Sequence, residues 1–195
     1  MKKRIINPEE KKARVIHAAR KLFVEKGYSS VPIPEIVKES GVSVGAIYLH
    51  FGNKDNLAKA IYEQTLEEFL EMFEERLVGK TTTQEKLQAF CTLVFDIAEE
   101  DSDMMEYMLS MRAGVFAEGY MPLCSTAPFR MVQQIIADGI AAGDVKPGNY
   151  FVHAVSYSGV IVRAVELRLQ GVLEQPLSEI AEDLFENAWS SIKSG

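Results

Sequence analysis

The stretch Gly41–Lys54, GVSVGAIYLHFGNK, is the most telling part of this chain. Gly41 lacks a Cβ and so tolerates the positive φ of a tight turn between two helices. Ser43 is a good N-cap, because its hydroxyl accepts from backbone N–H groups that a first helical turn leaves unpaired. Val44 to Phe51 is then about two turns of helix. Ile47 and Phe51, four apart, share a face toward the protein, while Val44, Ala46, Tyr48 and His50 face elsewhere. An exposed tyrosine and histidine on so short a helix suit phosphates and base edges better than a core. The stretch reads as the turn, second helix and exit of a helix-turn-helix that reads DNA.

Charge is distributed to match. The 195-residue chain has a formal net charge of −7. Residues 1–60 nevertheless hold twelve Lys and Arg against six Asp and Glu, a net of +6, which leaves −13 for the remainder. A basic head on an acidic body binds a polyanion by one end; the plainer reading is a basic tail with ordinary surface lysines. With 47% hydrophobic and 25% charged residues the composition is that of a globular protein. No apolar run reaches the length of a membrane span, and the start, MKKRIINPEEKK, lacks the apolar segment of a secretory signal. A cytoplasmic location is expected, in keeping with only two cysteines, Cys91 and Cys124. There is no CxxC or HExxH spacing, and His17, His50 and His153 are scattered. With neither a metal set nor a nucleophile–base pair in a recognised spacing, no enzyme, cofactor or metal is expected.

Helix signals recur along the whole chain, and strand-like alternation persists nowhere. Asn7-Pro8-Glu9-Glu10 is a start signal. Val15, Ile16, Ala19, Leu22 and Phe23 then form a stripe at helical spacing that Gly27 ends. A short helix from about Pro34 to Ser40 buries Ile36 and Val37. After the reading helix, Asn53 caps a long helix to about Leu77. Further helices are predicted from a Thr83 cap through Ala98, from a Ser102 cap to about Val115, and over about Phe129 to Ala142. Two more run from an Asn149 cap to Leu169 and from Leu177 to Ile192. The fold class is all-α, about nine helices. Residues 1–52 form a three-helix helix-turn-helix domain too small to bury a core alone, completed by residues 53–60, and residues 53–195 form a second helical domain.

These motifs resemble the tetracycline-repressor (TetR) family of bacterial regulators. The residues that carry the likeness are Phe23, Gly27-Tyr28, Ile36-Val37, Ser40-Gly41-Val42-Ser43, Tyr48-Leu49-His50-Phe51 and Asn53-Lys54-Asp55-Asn56-Leu57. They span about residues 10–60, and beyond Leu77 the likeness is one of architecture. On the reading helix Val44 stands where the family often has Lys or Arg, Ala46 where it has Ser or Thr, and Leu49 where it has a polar or aromatic residue. Few hydrogen-bond donors remain, so base contacts are expected to lean on apolar groups such as Val44 or Ala46 against thymine methyls.

The resemblance implies a transcriptional regulator, a repressor before an activator, that binds a double-stranded DNA operator as a homodimer and answers to a small-molecule effector. The alternative is a helical interaction module of the same fold without effective DNA binding. The DNA-binding residues are expected to be Ser29, Ser30, Ser43, Val44, Gly45, Ala46, Tyr48, Leu49, His50 and Lys54. Tyr48, His50 and Lys54 are assigned to phosphates; Ser29 and Ser30 either touch phosphate or shape the loop. Because Pro32 and Pro34 displace the usual cap, the second helix must be capped by Ser29, Ser30 or backbone geometry. Lys2, Lys3 and Arg4 are either an arm for an adjacent minor groove or a solubilising tail. The last two helices, apolar nearly all round from Asn149 to Ala164, divide between core and dimer surface. A methionine- and aromatic-rich middle implies a cavity for a large, mostly apolar or aromatic effector, or else gap-filling core. Its lining is expected from Met104, Met108, Met111, Arg112, Phe116, Phe129, His153 and Tyr157.

Overall fold

The computed structural model describes residues 7–110 and 126–195. Among the described residues nine α-helices follow one another. They are α1 (Pro8–Lys26), α2 (Ile33–Ser40), α3 (Val44–Phe51), α4 (Lys54–Leu77), α5 (Thr83–Glu100), α6 (Ser102–Ser110), α7 (Ala127–Ala142), α8 (Tyr150–Leu169) and α9 (Leu177–Ser190). A 3₁₀ turn at Tyr28–Ser30 joins α1 to α2. Strand-type pairing is confined, among these residues, to one isolated bridge between Val145 and Lys193. The described residues divide into two compact units, residues 7–65 and residues 66–109 with 126–195.

The first unit is built as its sequence requires. Asn7 accepts from the Glu9 N–H, Pro8 opens α1, and the Gly27 N–H closes it on the Phe23 carbonyl. Val15, Ile16, Ala19, Leu22 and Phe23 are buried. Ile33 and Ile36 of α2 and Ile47 and Phe51 of α3 are buried as well, and α1 packs across both helices. Val37, expected in the core, is half-buried; Ile33, just upstream of the expected start, is buried instead. The cap of α2 is backbone geometry: the Pro32 carbonyl accepts from Glu35 N–H and no side chain caps the helix. Leu57, Ala58 and Ile61 of α4 are fully buried, and the unit continues to Thr65, five residues beyond the limit that the sequence implied.

In the second unit α5 is central, packing against α7, α8 and α9. Phe69, Phe73 and Phe90 stack edge-on or tilted with ring centroids 5.4–6.4 Å apart. Two helix starts differ from expectation by one residue. Thr82, not Thr83, caps α5, because Glu85 three residues on returns the bond and completes a capping box. Thr83 is buried and its hydroxyl donates to Asp144 Oδ2 at 2.8 Å. Asp101, not Ser102, caps α6 by accepting from the Met104 N–H at 3.0 Å. Arg168 of α8 donates two bonds to Glu99 of α5, at 2.9 and 3.0 Å, and Glu99 also accepts from the Leu177 N–H at the start of α9. That fork fixes three helices at one point.

Candidate nucleic-acid interface

The turn and second helix of the bihelical hook form as the sequence requires. Gly41 sits at φ 66, where a side chain is strained, and its N–H donates to the Val37 carbonyl. A Cβ at this position would also lie 2.8 Å from an Arg14 guanidinium nitrogen, so α1 leans directly over the turn. Arg14 was not marked by any sequence signal, because only packing brings it there. Ser43 caps α3, its hydroxyl accepting from the Ala46 N–H. Ile47 and Phe51 are buried, which anchors α3 by one face. The opposite side is open: Leu49 is 83% exposed, Val44 and Tyr48 are each 49% exposed, and Ser43, Gly45 and His50 are exposed with them. Ala46 is half-buried. A two-turn helix held by two apolar residues and presenting the rest outward has the form needed to enter a major groove.

The flank of this helix is held by a cluster that only the three-dimensional arrangement brings together. The Lys54 ammonium donates to the Tyr28 carbonyl at 2.5 Å and lies 4.2 Å from the centre of the Tyr28 ring and 5.6 Å from that of Phe23. The Tyr28 hydroxyl donates to Asp55, and the Tyr28 ring meets Phe23 edge-on at 5.2 Å. Burial pushes the Lys54 ammonium below its ordinary range. Burial, with the bond to Asp55, pushes the Tyr28 hydroxyl well above its own. Lys54 was expected to be an outward phosphate ligand. In the structure it is half-buried and first of all pins the start of α4 to the turn that carries Ser29 and Ser30. Both serines are exposed beside that pin. Tyr28 and Asp55 are the residues that the sequence reading missed; an aromatic followed by a turn and an acid in a first helical turn carry no sign of meeting.

The residues expected around an effector scatter. Met104 and Met108 are buried in the core of the second unit. Tyr157 is fully buried, and its hydroxyl is already committed to the Leu87 carbonyl at 2.6 Å; burial raises its pKa well above the ordinary value. It is therefore a core strut and not an open anchor, a correction that the sequence could not have supplied because its partner is a backbone atom 70 positions away. His153 is buried with no hydrogen-bond partner on Nε2 among the described residues, packed against the backbone of Gly148. Phe129 is half-buried and meets Phe151 at 6.3 Å. Met111, Arg112 and Phe116 lie outside the described residues, as do Lys2, Lys3 and Arg4. A groove of about 380 Å³ in the second unit includes Met104, but its other walls are Glu68, Glu71, Met72, Glu75, Ile97, Glu100 and Asp101. Its acidic rim differs from the aromatic lining that was expected. Among the described residues no helix is long and apolar enough to cross a membrane.

A capped, outward-facing second helix on a basic trihelical unit defines a helix-turn-helix DNA-binding protein. Residues 15–61 match the bacterial regulatory proteins, tetR family. The chain is 26% identical over 145 residues to the fatty acid metabolism regulator protein of Bacillus subtilis (strain 168), covering 69% of this chain and 71% of that protein. The solved TetR-family transcription regulator of Marinobacter aquaeolei VT8 superposes with a TM-score of 0.81 at 18% identity, over 96% of this chain and 97% of that one. The transcriptional regulator FadR from Bacillus subtilis, solved in complex with stearoyl-CoA, gives a TM-score of 0.73 at 22% identity, over 92% and 98% of the two chains. Residues 15–61 thus carry the DNA-binding unit of the tetR family, on a chain that is similar to TetR-family regulators over most of its length, and the chain is a DNA-binding transcriptional regulator.

Proposed function

We propose that the protein is a homodimeric repressor that leaves its operator when a small, largely apolar effector binds the second unit. The observation that carries this is α3: buried by Ile47 and Phe51, capped by Ser43, and open across Val44, Tyr48, Leu49 and His50. Ser29, Ser30, Tyr48, His50 and the remaining donors of Lys54 are assigned to the phosphates on either side, where they set register without reading sequence.

A single short reading helix contacts few base pairs, so useful specificity calls for two copies about 34–36 Å apart. The outer face of α8 suits the pairing: Val152 and Val155 are exposed there, and Gly159 is exposed with nothing within 4 Å of where its Cβ would be. An open glycine one turn beyond the exposed valines lets a second helix approach closely. For the effector, the methionine-rich core at Met104, Met105 and Met108 supports an apolar ligand. So does the solved FadR, which holds stearoyl-CoA, a molecule with a long apolar tail. Release requires that the ligand bind the DNA-free geometry more tightly than the DNA-bound one. Moving a population from 1:99 to 99:1 takes about 5.5 kcal/mol of differential affinity.

The test is to titrate stearoyl-CoA, free CoA and an aromatic cation separately into the protein–operator complex. The reading expects release by a ligand with a large apolar part and none by free CoA. A ligand that binds tightly and leaves operator affinity unchanged is not the inducer. If every apolar ligand behaves so, the effector mechanism is wrong.

A further inference from the structure

Three glycines inside helices, among the described residues, keep an ordinary negative-φ backbone: Gly45, Gly139 and Gly159. Gly139 is explained within the protein, since a Cβ there would lie 2.6 Å from Thr83 Cγ2 and 2.9 Å from Val145 Cγ2. Gly45 is not. A Cβ at this second position of α3 would meet nothing within 4 Å. Neither conformation nor internal packing calls for glycine, which is among the least favourable residues in a helix. Its use must lie in what comes against the helix from outside.

The geometry of α3 says what that surface is. At about 100° per residue, the direction midway between Ile47 and Phe51 points into the protein, and Leu49 points directly away from it. Gly45 and Ala46 lie about 40° and 60° to either side of Leu49, one turn nearer the N-terminus, with Tyr48 and His50 about 100° away on the two flanks and Val44 about 140° away, beside Phe51. Leu49 is the most exposed large apolar side chain among the described residues. The outermost strip of the helix thus carries no Arg, Lys, Asn or Gln, the side chains that bond bidentately to guanine or adenine. What it offers is a projecting isobutyl group behind a shallow floor. The matching feature of a major groove is the C5-methyl of thymine.

We propose that Gly45, Ala46 and Leu49 are the base-reading face of this regulator and that it reads thymine methyl groups, Gly45 being bare so that the groove can close on the helix backbone. The inference rests on the DNA-binding reading above and narrows it. Of the two residues that the sequence offers for this contact, Ala46 stays on the reading face and Val44 turns away from it.

The experiment uses the full chain and a duplex selected by it from a random pool. Replacing single thymines of the half-site by deoxyuridine removes one methyl each. At the read positions affinity should fall about fourfold per methyl, the fold-change of burying one such group. Leu49→Ala should bind more weakly and lose that sensitivity. Gly45→Ala should melt at or above the wild-type temperature yet bind the selected duplex at least tenfold more weakly. Uracil substitution without effect at every thymine, or unchanged affinity in Gly45→Ala, overturns the assignment while leaving DNA binding intact. Failure to bind any duplex in dilute salt removes the DNA-binding reading itself, and this one with it.

Discussion

Tyr28→Phe is the sharpest probe of how the reading helix is held. The substitution keeps the ring, and with it the edge contact to Phe23 and the cation contact to Lys54, and deletes only the hydroxyl that donates to Asp55. Hydrogen bonds to charged groups contribute about 1.5–3 kcal/mol. Asp55 is exposed and Tyr28 only half-buried, so solvent screening lowers the figure to about 1 kcal/mol. For a unit of this size that is a fall of about 4–8 °C in its melting temperature. The cleanest assay is a double-mutant cycle of Tyr28→Phe with Asp55→Ala, followed by thermal unfolding. Coupling of about 1 kcal/mol is expected, since either change alone already removes the bond. Operator affinity should fall, because the turn bearing Ser29 and Ser30 is freed. The slope of affinity against salt should not change, because neither residue neutralises a phosphate. The pH dependence has a definite sign. The folded-state pKa of Tyr28 is raised, so its contribution is complete below the ordinary value of 10 and is lost as pH climbs toward the folded value. Strict additivity in the cycle, or a salt slope that drops with Tyr28→Phe, would refute the clamp.

Other outcomes follow from single contacts. Ser43→Ala removes the cap of α3 and should cost about 1 kcal/mol of stability together with a clear loss of operator affinity, read by unfolding and by anisotropy. Glu85→Gln should weaken the capping box of α5. Its carboxyl is pulled down to about 2 by the Thr82 and Thr81 backbone N–H groups and the Thr82 hydroxyl. The wild-type advantage over the variant should therefore be present above about pH 4.5 and disappear as pH falls toward 2. Tyr157→Phe should lower stability by about 1 kcal/mol through loss of the bond to Leu87, and leave effector-induced release unaltered.

Local signals were legible because their physics is local. Asn7, Gly41, Ser43, Asn53, Gly143 and Asn149 each act on backbone groups within a few residues, and each stands where its chemistry placed it. The two misplaced caps were within reach: Thr82 precedes Glu85 by three, the spacing of a capping box, and Asp101 is as good a cap as Ser102. What the sequence could not show is which distant groups meet. Nothing in the sequence shows that Lys54 reaches the Tyr28 carbonyl and ring as well as having donors left for phosphate, or that the Tyr157 hydroxyl is taken by Leu87. The split of α3 into a core stripe, two flanks and an outward strip needed only helical period. The meaning of Gly45 needed the empty space around it.

Binding of the full chain to its selected duplex across a salt series, with stoichiometry measured in the same titration, bears on all of this at once. Two chains per site are predicted, with log affinity falling linearly in log salt by about 0.9 for each phosphate neutralised. Lys54→Ala should make that slope shallower. A chain that binds singly, or whose affinity for duplex is absent or indifferent to salt, would contradict the assignment of α3 and its flanks to DNA.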